Sequence, residues 1–307
     1  MGDVSTKYGV LKNPILAAIY SNGESEEYKL EEECILKVGD YTFVPLYGAG
    51  DLRRKELPQI KFYKNGNIKS LALMYKSKIS TSVGVYEVEK ISFYQDGEIR
   101  RLFPLDGRLS GYWTEEDEEE LAKIQEFKFP FGDFRAKVMS LNFYKNKKLK
   151  SLTFWPSERV ELKLIDTKIK VRIGISLYES GEIASCEPSI PTIIGTPIGN
   201  IECYDKNAIG IHGDDNSLKY YEDGSVKSVI TSTNIIKVYQ KDGQTNMHTP
   251  KEVRLYSNSE VLDTITVLIE FIGNKVIINK NSEYDLLENT FVISNFGEKK
   301  LTLNGDI

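Results

Sequence analysis

A ten-residue pattern recurs along the chain, and it constrains the fold more than any other feature of the sequence. The first clear copy is Phe62-Tyr63-Lys64-Asn65-Gly66-Asn67-Ile68-Lys69-Ser70-Leu71. Further copies run over 93–102, 143–152, 177–186 and 220–229, with a degenerate one over 255–262 and a worn one at Tyr20-Ser21-Asn22-Gly23. The Asn-Gly, Asp-Gly or Ser-Gly at the centre supplies the positive φ angles of a two-residue primed turn, so each copy predicts a β-hairpin. With Asn65-Gly66 as the turn, Tyr63 is expected opposite Ile68, Phe62 opposite Lys69 and Ile60 opposite Leu71. The same count pairs Tyr94 with Ile99, Tyr144 with Leu149, Tyr178 with Ile183, Tyr221 with Val226 and Tyr256 with Val261. Each such pair contributes about 0.2–1 kcal/mol. The second turn residues stand at 66, 97, 147, 181, 224 and 259, in steps of 31, 50, 34, 43 and 35 residues, which is repeat spacing.

Strand alternation separates two faces. Ile60, Phe62, Leu71, Ile91, Phe93, Leu102, Leu141, Phe143, Leu152 and Phe154 fall on one, the expected core. A cationic position near the turn (Lys69, Arg100, Lys150, Lys227) is assigned to that same face, its stem reaching out to water. The tyrosines and Ser70, Ser151, Ser185 and Ser228 fall on the other. Thr81-Ser82-Val83-Gly84-Val85, Thr196-Pro197-Ile198-Gly199 and Thr249-Pro250-Lys251 mark further corners between hairpins. Thr114-Glu115-Glu116-Asp117 starts one short helix as a capping box, with Leu121, Ile124 and, at its limit, Phe127 as its apolar stripe, before Phe127 to Phe134 returns to loop or strand. The expectation is an all-β repeat protein of stacked antiparallel hairpins with one helix inserted near 115–126. It divides into a β cap over 1–58, hairpin repeats over 59–263 with the acidic insertion at 114–126, and a β cap over 264–307, as one continuous domain.

The copies, read as F-Y-x-[ND]-G-x-I-[KR]-S-L, resemble MORN-type repeats in their bacterial antitoxin-like variant. The match rests on the aromatic pairs at 62–63, 93–94 and 143–144 and on Gly66, Gly97, Gly181 and Gly224. The resemblance implies a non-enzymatic role in scaffolding, lipid contact or partner binding, and no catalytic residue carries over from it. The steps here are longer than those of MORN arrays, so extra strands are expected between hairpins.

Composition narrows the function classes. Forty Lys and Arg against 45 Asp and Glu give a net charge of −5, so no nucleic-acid partner is expected. The apolar stretch Ile15–Ile19 is too short to span a membrane, and no integral segment is expected. Gly2 and Thr6 fit an acylation pattern too loose to carry weight. Cys34, Cys186 and Cys203 are odd in number and never in C-x-x-C spacing, which favours buried thiols in a reducing cytoplasm.

Three groups of residues are candidates for chemistry. The tyrosines Tyr63, Tyr94, Tyr144, Tyr178, Tyr221 and Tyr256 form a stripe suited to a protein or an extended polymer, although packing within the repeat is the simpler account of their recurrence. His212, Asp214 and Asp215 lie in a polar loop over 210–217 that could hold a metal for a hydrolase, against the simpler reading of a turn into the next strand. Cys186 could pair with His212, yet the register sets it opposite Ile175 in the core. Glu115–Glu120 is read as a solvated helix start. No P-loop, GxGxxG, GxSxG or HExxH occurs. The expectation is a non-catalytic binding module without a cofactor.

Overall fold

A computed structural model describes residues 2–49, 51–164, 168–209, 216–254 and 262–296. It is nearly all-β, with many antiparallel hairpins and one helix, Glu115–Glu120, among the described residues. The chain forms two compact units, one of residues 1–158 with 179–181 and one of 159–178 with 182–307.

The hairpin turns differ from the two-residue form. The Gly66 amide donates to the Tyr63 carbonyl at 2.9 Å and the Tyr63 amide to the Asn67 carbonyl at 2.7 Å, so Lys64-Asn65-Gly66 make a three-residue loop. Gly66 takes its left-handed position at φ 74°. The Asn65 carboxamide oxygen accepts from the Asn67 amide at 3.1 Å, which is why Asn or Asp recurs there. Asn-Gly suits both loop types, and here the residue before it joins the loop.

The longer loop sets Phe62 opposite Ile68, and a bulge at Lys69 then restores the expected pairing of Ile60 with Leu71. Arg100, Lys150, Ala184 and Lys227 are the equivalent extra residues in the other copies. The predicted Tyr–aliphatic pairs are therefore replaced by Phe62–Ile68, Phe93–Ile99, Phe143–Leu149, Leu177–Ile183 and Tyr220–Val226. The cationic position moves with the bulge. Lys69, assigned to the core face, instead stands over the Tyr63 ring.

In the first unit the bonded order of the main sheet is Ile15–Ile19, Ser25–Lys29, Ile60–Phe62, Ile68–Thr81, Gly84–Phe93, Ile99–Phe103, Gly132–Phe143, Leu149–Phe154. Its register lines up Ile60, Leu71, Ile91, Leu102, Leu141 and Leu152 side by side, each 0% exposed. Phe62, Phe93, Phe143 and Phe154 are buried with them, as alternation predicts. The neighbouring row on the opposite face is polar: Lys61, Ser70, Ser92, Arg101, Asn142, Ser151. In the second unit Ile175, Cys186, Leu218, Val229, Ile269 and Ile278 form the matching buried row.

The corners at Thr81 and Thr196 form as tight turns in which the Thr hydroxyl donates to the carbonyl of Gly84 or Gly199, at 2.8 and 2.6 Å. Thr6 and Gly9 make a third turn of this kind, at 2.7 Å. Thr249-Pro250 does not, because the strands on its two sides pair with different partners. A further hairpin that the pattern missed turns at Gln240-Lys241-Asp242-Gly243, where Gln240 replaces the tyrosine.

The insertion also differs in part. Thr114 and Asp117 complete the capping box, at 3.1 and 3.0 Å. The helix stops at Glu120, and Ile124–Phe129 is a strand paired with Gly132–Lys137. Phe127 is buried on that strand while Leu121 and Ile124 are exposed, so there is no apolar helical stripe. Nor is the acidic run wholly solvated. Glu118 is fully buried, accepting from Arg53 Nε and Nη2 at 2.6 Å each and from Trp113 Nε1 at 3.1 Å, while Arg53 also bonds Glu89.

Candidate binding surface

The three-residue loop brings each tyrosine to the end of its hairpin, where alternation points it away from the phenylalanine face. There its hydroxyl meets the next hairpin along the sheet. Tyr20 donates to the Phe62 carbonyl, Tyr63 to Phe93 and Tyr94 to Phe143, each at 2.8 Å. In the second unit Tyr178 donates to Tyr220 at 2.7 Å and Tyr221 to Phe271 at 2.6 Å. The acceptor in the first four cases is the residue just before the next copy's tyrosine. Each bond thus ties one hairpin end to the corresponding point of its neighbour.

The bulge residue completes the arrangement. Lys69, Arg100 and Lys150 stand 5.9 Å from the ring centres of Tyr63, Tyr94 and Tyr144, and Lys227 stands 5.4 Å from Tyr221. A cation over an aromatic face at this range contributes about 0.5–1 kcal/mol where solvent reaches it. The rings are half-buried, so part of each remains open to solvent. Burial pushes the Tyr178 hydroxyl pKa up, with Glu222 adding to the shift.

Beyond the tyrosines the turn tips are exposed and bonded sideways. Asn65 and Asn67 both donate to the Gln95 carbonyl, at 3.2 and 2.6 Å. Lys145 pairs with Asp96 at 3.1 Å and Lys147 with Glu98 at 3.3 Å. Lys64, Gln95 and Lys145 occupy the same exposed loop position in three successive copies. The result is a row of equivalent side chains whose spacing is set by the hydroxyl–carbonyl bonds beneath.

Of the residues singled out from sequence, Tyr63, Tyr94, Tyr144, Tyr178 and Tyr221 occupy equivalent places. Tyr256 lies outside the described residues, as do His212, Asp214 and Asp215. Among the described residues no group of three or more His, Cys, Asp and Glu could hold a metal ion. Cys186 sits opposite Ile175 and is 0% exposed, and burial pushes its thiol pKa well up, the reverse of what a nucleophile needs. His248 bonds the Tyr284 hydroxyl at 2.9 Å, and burial lowers its pKa. Among the described residues no helix is long and apolar enough to cross a membrane.

Tyr20 and the bulge cations are parts of this surface that the sequence places in the motif but not among the candidate binding residues. Their signal was present, since a Lys or Arg recurs at a fixed place after the turn. Comparison with protein-family models, with curated proteins and with solved structures gives no match.

Proposed function

We propose that the protein is a non-catalytic binding or scaffolding module of the bacterial cytoplasm, holding a protein or other extended polymer along its row of hairpin ends. The observation that carries this reading is the set of three tyrosine hydroxyl–carbonyl bonds of the first unit, which tie together the hairpin ends that carry the exposed side chains at 64, 95 and 145. A surface ordered before binding loses less conformational entropy when a partner arrives. The resemblance of the motif to MORN-type repeats supports the same reading. The half-buried tyrosines, with the loop side chains at 64, 95 and 145, are the contact surface.

The test uses the full chain as bait beside a variant carrying Lys64→Glu, Gln95→Lys and Lys145→Glu, all exposed and outside the core. Circular dichroism and thermal unfolding establish that the two baits fold alike. A species retained by the wild type and reduced by about tenfold or more on the variant supports the proposal. Equal retention, or nothing above an unrelated bait, sinks it.

A further inference from the structure

Two strand edges of the first unit are left open where the main sheet parts. Thr81 pairs with Gly84 across a two-residue turn, and Phe129 with Gly132 across another. A pair that closes a two-residue turn exchanges both backbone bonds, and bonded and non-bonded pairs then alternate along an unbroken register. Ser80–Val85, Lys78–Glu87, Glu126–Arg135 and Ile124–Lys137 are therefore non-bonded pairs. The amides and carbonyls of Val85, Glu87, Ile124 and Glu126 point outward, to the free side of each strand.

Those free sides face each other. Ile99–Phe103 bonds Gly84–Phe93 on one side and Gly132–Phe143 on the other, and stops before Pro104. Ile124–Phe129 then takes the same edge of Gly132–Phe143, because the Lys137 carbonyl, turned away from it, accepts from Trp155 on the opposite edge at 3.2 Å. Among the described residues no backbone bond joins Ile124–Phe129 to Gly84–Phe93, and their Cα atoms come within 8 Å at no more than an isolated point or two. Strands in a sheet stand about 4.8 Å apart, so these two are too far apart to bond each other and near the separation, about 9.6 Å, that admits one between them. The Tyr86 and Phe127 rings, 6.2 Å apart, close the gap on the core face.

The groove on the other face has a volume of about 360 Å³. Its apolar walls are open to a ligand: Val85, Leu121 and Ile124 are 60%, 45% and 64% exposed. Lys76, Lys78 and Lys123 line it against one carboxylate, Glu87. Lys123 spans the opening to Glu87 at 2.8 Å, an exposed ion pair that costs little to open. Glu89, 3.5 Å from Lys76, is already held by Arg53 through both oxygens. Lys78 is exposed and makes no ion pair among the described residues. On a chain of net charge −5 this is a local excess of positive charge. Open backbone donors and acceptors, exposed aliphatic side chains and surplus lysines together complement an extended acidic chain.

We propose that this groove takes an extended acidic segment of a partner protein as an added strand, its backbone bonded to the edges at Val85 and Ile124 and its carboxylates at Lys76 and Lys78. The loop side chain at 95 lies beyond the opposite end of Gly84–Phe93, so this site stands or falls independently of the binding role proposed above.

The probe is a fluorescent peptide of about eight alternating glutamates and valines, titrated into the full chain while the amide resonances of Val85, Glu87, Ile124 and Glu126 are followed. Saturable binding with Kd about 100 μM, with shifts at those amides, is expected. The same peptide methylated on alternate backbone nitrogens, and one with lysine in place of glutamate, should each bind about tenfold more weakly or worse. Lys78→Glu, at an exposed position, lowers affinity about fivefold through one ion pair lost and reversed. Val85→Pro removes an outward amide that makes no bond to Ser80, so the edge strand is kept while binding falls by about the same factor. Circular dichroism establishes that both variants fold. The proposal is overturned if the acidic peptide does not bind, if either control peptide binds equally well, or if the folded variants bind as the wild type does. Self-association of the chain that Val85→Pro abolishes would also overturn it, by giving the groove to a second copy.

Discussion

Replacing Tyr94 with Phe tests whether the hydroxyl ladder ties the repeats together. The substitution keeps the ring, and with it the contact to Arg100, and removes only the donor to the Phe143 carbonyl at 2.8 Å. A neutral hydrogen bond contributes a net ~0.5–1.5 kcal/mol, and stranding a carbonyl that water cannot fully reach raises the loss towards ~2 kcal/mol. Phe143 is only 3% exposed, so the expected cost is in the upper half of that range. For a domain of this size that lowers Tm by about 2–6 °C. Urea denaturation and calorimetry of the full chain measure it, with Tyr112→Phe as control, because Tyr112 is 86% exposed. The control should lie within about 0.5 kcal/mol of wild type. Tyr63 donates to a different carbonyl, that of Phe93, so the Tyr63→Phe, Tyr94→Phe double variant should lose close to the sum of the two single losses. If Tyr94→Phe is no less stable than the Tyr112 control, the hydroxyl has only exchanged water for a carbonyl, and the ladder argument is wrong.

Four further outcomes follow from individual residues. Lys147 holds at φ 67° the left-handed place that Gly66, Gly97, Gly181 and Gly224 fill in other copies, so Lys147→Gly should raise stability by about 1 kcal/mol in urea denaturation. Glu118→Ala leaves Arg53 with one carboxylate in place of two and should cost about 3 kcal/mol, seen as a lower urea midpoint at unchanged slope. Burial raises the Glu187 carboxyl pKa despite the Ser217 amide at 2.7 Å. The folded chain therefore holds that proton more tightly than the unfolded one. Its contribution is full below about pH 4.5 and is lost as pH rises through the folded-state value; Glu187→Gln should flatten that part of the stability profile. Cys34, Cys186 and Cys203 are at most 2% exposed, so a thiol reagent should modify them only at the rate of unfolding. Fast modification of the native chain would contradict their burial.

Local chemistry made much of this architecture legible. Asn or Asp before Gly marks a turn wherever it falls, and alternation separates Phe62 and Leu71 from Tyr63 and Ser70 without knowledge of neighbouring strands. The pairings Ile60–Leu71 and Ile175–Cys186, and the Thr114 capping box, follow from residues close together in the chain. The loop length did not follow, because Asn-Gly satisfies a two-residue or a three-residue loop equally. The bulge at Lys69 is the compensation that lets the longer loop keep the core in register.

Partners distant in sequence decided the rest. Nothing near Tyr63 names the Phe93 carbonyl, 30 residues on, as its acceptor, and the corresponding separation for Tyr94 is 49. Glu118 reads as one carboxylate in a solvated run until Arg53, 65 residues away, folds against it and draws it inside. Turn type and side-chain alternation are settled within about ten residues, where backbone geometry leaves few choices. Which donor meets which carbonyl, and which carboxylate is drawn inside, is fixed only when strands far apart in sequence are packed side by side.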